Sequence, residues 1–160
     1  MNARTGVGLD LHRWDDSRPL RLAGVEFPGE PGLAGHSDGD AVCHAVADAL
    51  LGAAALGDVG EHFPDSDPAF AGIAGLELLA ETVEILARAG FVPLHCDVTV
   101  IAMRPAIAPR REEMRRSLAS VLRVGSNDVS VKATRPEGLG LTGDGVGCLA
   151  AATVGPAPDR

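Results

Sequence analysis

Hydrophobic and polar positions change period several times along the chain, and each change marks an element. From Thr5 to His12, Val7, Leu9 and Leu11 alternate with Gly8, Asp10 and His12, the two-residue period of a short strand. Leu20 to Phe27 predicts a second strand, with Leu20, Leu22 and Phe27 apolar and a bend at Gly24. From Asp38 to Leu56 the period becomes helical, with Val42, Val46, Ala49, Leu50, Ala53 and Leu56 on one stripe. Ser37 is its expected N-cap, and Asp40 completes a capping-box-like start. Gly57 to Phe70 is dense in Gly, Pro and Asp and reads as an ordered loop. A second helix is expected from Gly75 to Ala89, with Leu76, Leu79, Val83 and Leu86 inward and Gly90 as its stop. Phe91 to Ala102 is rich in β-branched residues and predicts a strand. Pro109 to Leu122 predicts a third helix with Met114, Leu118, Val121 and Leu122 inward, and Asp128 to Thr134 and Val146 to Val154 complete the strands. The order β-β-α-α-β-α-β-β predicts an α/β chain of the α+β type, one mixed sheet with helices on one face. Residues 1–155 are expected to form a single domain and 156–160 a frayed polar tail.

Composition changes this picture in one respect. With one Trp, four Phe and no Tyr, the core must be packed by Ala, Leu and Val. Small side chains yield less contact area each, which suits closely packed helices and a symmetric oligomer that buries further surface. Hydrophobic residues at 46% and charged residues at 22% exclude a disordered chain. The net charge is −8, and no basic run exceeds the Arg110–Arg111 and Arg115–Arg116 pairs, which argues against nucleic acid as a partner. An anionic ligand would therefore need metal cations and backbone N–H groups to neutralise it. Cys43, Cys96 and Cys148 form no CxxC pair and are expected to be buried free thiols. The N-terminus lacks the apolar region of a signal peptide, and no apolar run reaches the ~18 residues that span a bilayer. A cytoplasmic enzyme without a membrane partner is the expectation.

The candidate chemistry lies in the first strand and first helix. Asp10 and His12 leave the same face of a strand about 7 Å apart, and His44 lies in the first turns of the helix. One carboxylate and two imidazoles form a ligand set typical of a catalytic zinc that keeps a position open for substrate. Asp48, one turn after His44, is expected to orient that imidazole, with Asp40 also eligible. The same three donors also serve non-haem iron enzymes. Those sites generally sit in many-stranded β-barrels, whereas this chain commits three segments to helices. The stretch Gly35-His36-Ser37-Asp38-Gly39-Asp40 brings further polar groups to a helix N-terminus, an end that attracts phosphate. A metal site beside an anion site is suited to handling phosphates.

These segments resemble the 2-C-methyl-D-erythritol 2,4-cyclodiphosphate synthase family. GLDLHRW (Gly8–Trp14) is similar to its zinc-binding first strand, and Gly35–Phe70 resembles its signature helix and loop nearly residue for residue. RPAIAP (Arg104–Pro109) and VSVKATRPEGLGLTGDGVG (Val129–Gly147) fall where two further family segments belong. The resemblance implies a phosphorus–oxygen lyase of non-mevalonate isoprenoid precursor synthesis, the MEP pathway. It would convert 4-diphosphocytidyl-2-C-methyl-D-erythritol 2-phosphate to the cyclic diphosphate and CMP. It implies a homotrimer with active sites at subunit boundaries, zinc on Asp10, His12 and His44, and a second divalent ion, magnesium or manganese, on Glu137. Asp10 and His12 would also adjoin the substrate. His36 and Ser37 would contact it, with His36 and Arg135 stabilising charge in the transition state. Asp58 and Gly60 would hold the ribose, and Phe63, Asp65 and Asp67 would close over the erythritol. Ala102, Ala106, Ala108, Thr134, Arg135 and Glu137 would form a nucleotide pocket contributed across the interface.

The chain departs from the family pattern at several positions. Ala106 stands where Lys is common, Arg135 where Thr is usual, Leu141 for Phe, Asp144 for Arg and Val146 for Glu. Arg135 can donate to phosphate and so compensate for the missing Lys. Leu141, Asp144 and Val146 would lie towards the trimer axis, where an acid at Asp144 is expected to disfavour prenyl diphosphates. A metal-bound trimeric module without turnover is the alternative that these departures raise.

Overall fold

The computed structural model describes residues 2–140 and 144–158. A five-stranded mixed sheet carries the fold in the spatial order β2-β1-β5-β3-β4. β1 (Arg4–Leu22) and β2 (Val25–Leu33) form a hairpin, followed by α1 (Ala41–Ala54), a single turn α2 (Val59–His62) and α3 (Gly75–Arg88). β3 (Phe91–Ile101), α4 (Arg111–Leu122), β4 (Val129–Thr134) and β5 (Gly145–Pro156) complete the chain. β3 and β4 pair in parallel and the other pairs are antiparallel. β5 runs through Pro156, and Ala157 N–H donates to Gly90 O at 2.8 Å, so the sheet continues where the sequence suggests a tail.

Other boundaries differ from the sequence reading: β1 runs on to Leu22 rather than His12, and α2 lies within the expected loop. The segment Leu20 to Phe27 is no separate strand: it comprises the end of β1, the hairpin turn at Ala23 and Gly24, both at positive φ, and the start of β2. The N-cap of α1 is Asp40, not Ser37. Asp40 is fully buried and accepts from Val42 N and Cys43 N in the helix, and from Ala23 N and Gly24 N in the hairpin turn. One carboxylate thus locks hairpin to helix, which also removes Asp40 from any role in orienting His44.

The core lies between the sheet and the helices. Cys96, Val98, Val100, Val146, Cys148, Ala150, Ala152 and Val154 face inward from β3 and β5, against α1. All three cysteines are buried and free. α1 lies unusually close to β1 because Gly6 and Gly8 carry no side chain. A Cβ at Gly8 would overlap Ala45 O and come within 2.7 Å of Ala49 N, and one at Gly6 would overlap Ala49 O and Ala53 N. The inward half of β1 is therefore Gly6, Gly8, Asp10 and His12. Val7, Leu9 and Leu11, the apolar half, point outward at 65%, 57% and 52% exposure.

Candidate active site

The glycine contacts fix the register that builds the candidate metal centre. With Gly8 against Ala45, the first turn of α1 lies over Asp10 and His12, and His44 turns toward them. Asp10 Oδ2 is 2.6 Å from His12 Nε2 and 3.3 Å from His44 Nδ1, and the two ring nitrogens are 3.2 Å apart. His12 Nδ1 lies 2.6 Å from Ala34 O, which requires the proton there and leaves Nε2 with its lone pair. His44 Nε2 meets Ser37 Oγ at 3.0 Å, and that hydroxyl also accepts from Gly39 N. With Nε2 donating to Ser37, His44 Nδ1 is free as a donor to a metal.

Three lone pairs thus converge, and Asp10 Oδ2, sealed from solvent, has no well-directed hydrogen bond among the described residues. Burial alone would raise the Asp10 carboxyl. His12 and His44 beside it outweigh that and hold it at about 2. Burial pulls His12 down, but Asp10 reverses this and raises it. A divalent cation accounts for the cluster better than mutual hydrogen bonds do, and the donor set of two imidazoles and one carboxylate fits zinc.

The centre opens into a cleft of about 240 Å³ lined by Asp10, His12, His36, Ser37, His44, Gly60, Phe63 and Asp65, with Val59, Phe70, Ile73 and Leu78 as its apolar wall. Ser37 is buried, while His36 and Asp65 are exposed at the rim. Phe63 is anchored edge-on against Phe70, centroids 5.2 Å apart. Two of the expected substrate residues are engaged as caps. Asp58 accepts from Glu61 N at 2.9 Å to start α2, and Asp67 accepts from Ala69 N at 2.9 Å. Asp48 does not bond to His44; it accepts from Val59 N at 3.0 Å and so pins the start of the cleft loop to α1.

A second cleft of about 270 Å³ sits at the β3–β4 edge, lined by Ala102, Ala106, Ala108, Thr134 and Arg135 together with Met103, Ile107 and Arg111. It shares no lining residue with the metal cleft. Glu137 follows it, exposed and at φ 51°, a left-handed conformation that a side chain rarely adopts without cause. Asp144 is exposed and Leu141 lies outside the described residues. Val146 is fully buried, paired with His12 across β1 and β5, so within this chain it does not face an axial cavity.

A model of the YgbB family matches residues 3–155. The chain belongs to the YgbB family. Among YgbB relatives, the 2-C-methyl-D-erythritol 2,4-cyclodiphosphate synthase of Syntrophomonas wolfei is 52% identical over 151 residues, 94% of this chain and 96% of that protein. The bifunctional enzyme IspD/IspF of an Anaeromyxobacter species is 54% identical over 145 residues, 91% of this chain but only 37% of that longer protein. A solved 2C-methyl-D-erythritol-2,4-cyclodiphosphate synthase in a CDP-bound form superposes with a TM-score of 0.87 at 34% identity, covering 95% of this chain and 100% of that one.

Against this family, sequence reading missed three features of the site. Ile73 and Leu78 supply cleft wall from a connection and a helix start that carry no polar signature. Ala34 contributes through its carbonyl, which residue type does not encode. Arg18, an isolated cation before Pro19, reaches the loop that holds His36 and Ser37.

Proposed function

We propose that the chain converts 4-diphosphocytidyl-2-C-methyl-D-erythritol 2-phosphate to 2-C-methyl-D-erythritol 2,4-cyclodiphosphate and CMP. The observation that carries this reading is the convergence of Asp10 Oδ2, His12 Nε2 and His44 Nδ1 at the floor of a cleft in a YgbB chain. Asp10, His12 and His44 would hold zinc, which when bound supplies a Lewis acid beside the phosphate being attacked. Glu137 would hold a second divalent ion, magnesium or manganese.

The chain's own residues have a positioning task. In the reaction an oxygen of the 2-phosphate forms a bond to the β-phosphorus, the bond from that phosphorus to the bridging oxygen breaks, and CMP departs with the electron pair. Nucleophile and electrophile share one molecule, so the barrier falls mainly by holding two anions in line and neutralising them. His36 at the rim and Ser37 at the wall would face the phosphates, and Asp65, on the same lining, would accept from erythritol hydroxyls. Phe63, held by Phe70, shields the carbon skeleton from water. The small side chains of Ala102, Ala106 and Ala108 leave room for a flat base, with Arg135 and Thr134 at the same cleft.

We infer that copies of the chain complete each other's sites, the two clefts having no lining residue in common. The outward β1–β5 face, with Val7, Leu9, Leu11 and Leu149 all more than two-fifths exposed, supports such self-association as a homotrimer. No described helix is long and apolar enough to cross a membrane. The test is phosphorus NMR of purified protein with zinc, magnesium and the cytidyl substrate. CMP and the cyclic diphosphate are expected, and their absence from a zinc-loaded sample would sink the assignment. His44→Ala is expected to lose stoichiometric zinc.

A further inference from the structure

Behind the metal centre, the segment from Leu33 to Ser37 turns its carbonyls to one guanidinium. Arg18 Nη1 donates to Leu33 O at 2.9 Å and Gly35 O at 3.1 Å, and Nη2 donates to Ser37 O at 2.9 Å. The three acceptors are alternate residues of a segment that leaves β2 and bends at Gly35–Ser37, which curls their carbonyls around the guanidinium. Arg18 is itself held in place: its Nε is 3.9 Å from Asp15 Oδ2, and Asp15 Oδ1 is tied to Ser17 N and Oγ. Pro19 keeps the preceding residue extended. Only 28% of the Arg18 side chain is exposed.

The clamped segment carries the outer partner of each imidazole. Ala34 O holds His12 Nδ1, and Ser37 Oγ holds His44 Nε2. Between them stands His36, which lines the cleft. We propose that Arg18 is a positioning residue for the metal centre, setting the orientation of both histidines through the carbonyls of Leu33, Gly35 and Ser37. The inference rests on the metal-centre reading of Asp10, His12 and His44. The planar fork is what the role requires, since it donates in fixed directions to several acceptors at once, whereas a lysine ammonium is a single point. Without it, three carbonyls are left to find water, and the segment loses the contact that fixes its depth.

The test is zinc affinity by competition with a chromophoric chelator, alongside amide exchange in the metal-free protein. Arg18→Ala is expected to weaken zinc about tenfold, the lower range for loss of an outer partner. Amide exchange should quicken at Asp38 and Gly39, whose N–H groups bond to Ile73 O and Ser37 Oγ. Arg18→Lys, which keeps the charge and is the gentler change, is expected to show the same loss, and it decides the matter should Arg18→Ala not fold. Added methylguanidinium is expected to restore affinity to Arg18→Ala. Leu122→Ala, fully buried and outside the metal cleft, serves as a matched destabilised control whose zinc affinity stays at the parent level. Parent-like zinc affinity in folded Arg18→Ala or Arg18→Lys overturns the role, as does an equal loss in Leu122→Ala. A parent chain that takes up no zinc overturns the metal centre and this inference together.

Discussion

Replacing Gly8 with Ala puts a methyl group where α1 already lies. Its carbon would overlap Ala45 O and stand 2.7 Å from Ala49 N, against an ordinary contact that starts near 3.4 Å. The gap to Ala49 N alone asks for a helix shift of about 0.7 Å, and the overlap with Ala45 O asks for more. Both obstacles are backbone, so no side-chain rotation relieves them. His44 rides on the same turn as Ala45 and must withdraw from Asp10 and His12. Metal ligand distances tolerate about 0.2 Å, several times less than this shift. Gly8→Ala is therefore expected to weaken zinc by more than about 100-fold, beyond the usual effect of losing an outer partner. Overpacking should also lower stability by about 1–3 kcal/mol. The assay is zinc competition at a temperature where circular dichroism shows the variant folded. Gly52→Ala is the control: it lies on the open side of α1 with nothing within 4 Å, and is expected to gain about 0.5–1 kcal/mol without touching zinc. A folded Gly8→Ala that binds zinc like the parent would refute the claim that glycine contact sets the site.

Three further outcomes follow from other contacts. Asp40→Ala strips one acceptor from four N–H groups at a fully buried point and is expected to cost about 3–5 kcal/mol in urea unfolding. Ser37→Ala removes the partner of His44 Nε2 and should weaken zinc by about tenfold with little change in melting temperature. Burial pushes the Cys96 thiol to about 12 and those of Cys43 and Cys148 well above the ordinary 9.0. The unfolded chain then sheds thiol protons from about pH 9 while the native one keeps them. Stability should accordingly fall as pH rises from 9 towards 12, by up to about 1.4 kcal/mol per pH unit per thiol, and the native thiols should resist alkylation at pH 8.

The elements most legible in the sequence were those with strong periodicity. The helical stripes of residues 38–56 and 75–89 and the β-branched run at 91–102 appear within a few residues of the expected places. The convergence of Asp10, His12 and His44 was legible for a related reason: these residue types are the ones that could hold a metal, and strand and helix periods put them on usable faces. Less legible was whatever depends on backbone groups. Asp40 and Asp48 look like candidates to orient an imidazole, yet both serve N–H groups at helix starts, and Ala34 O, which does hold the His12 ring, has no distinctive side chain. Leu20 to Phe27 reads as a strand because its apolar residues flank Gly24, and only pairing shows that they fold back on each other.

The choice of face in β1 carries the larger consequence. Alternation divides a strand into two faces but does not say which one the helices cover. Apolar Val7, Leu9 and Leu11 are the obvious inward set, and burying them would have turned Asp10 and His12 to solvent. The alternative sequence Gly6, Gly8, Asp10, His12 wins because two glycines let α1 approach to backbone contact, which no larger side chain on that face permits. The approach places His44 over two polar groups that would be costly to bury unpaired, a cost that a bound cation would offset. The displaced apolar face is then left outward beside β5, where a second copy of the chain is the natural cover. The proposed metal centre and the proposed self-association are thus two results of one choice of strand face, and Gly6→Leu or Gly8→Leu should disturb both.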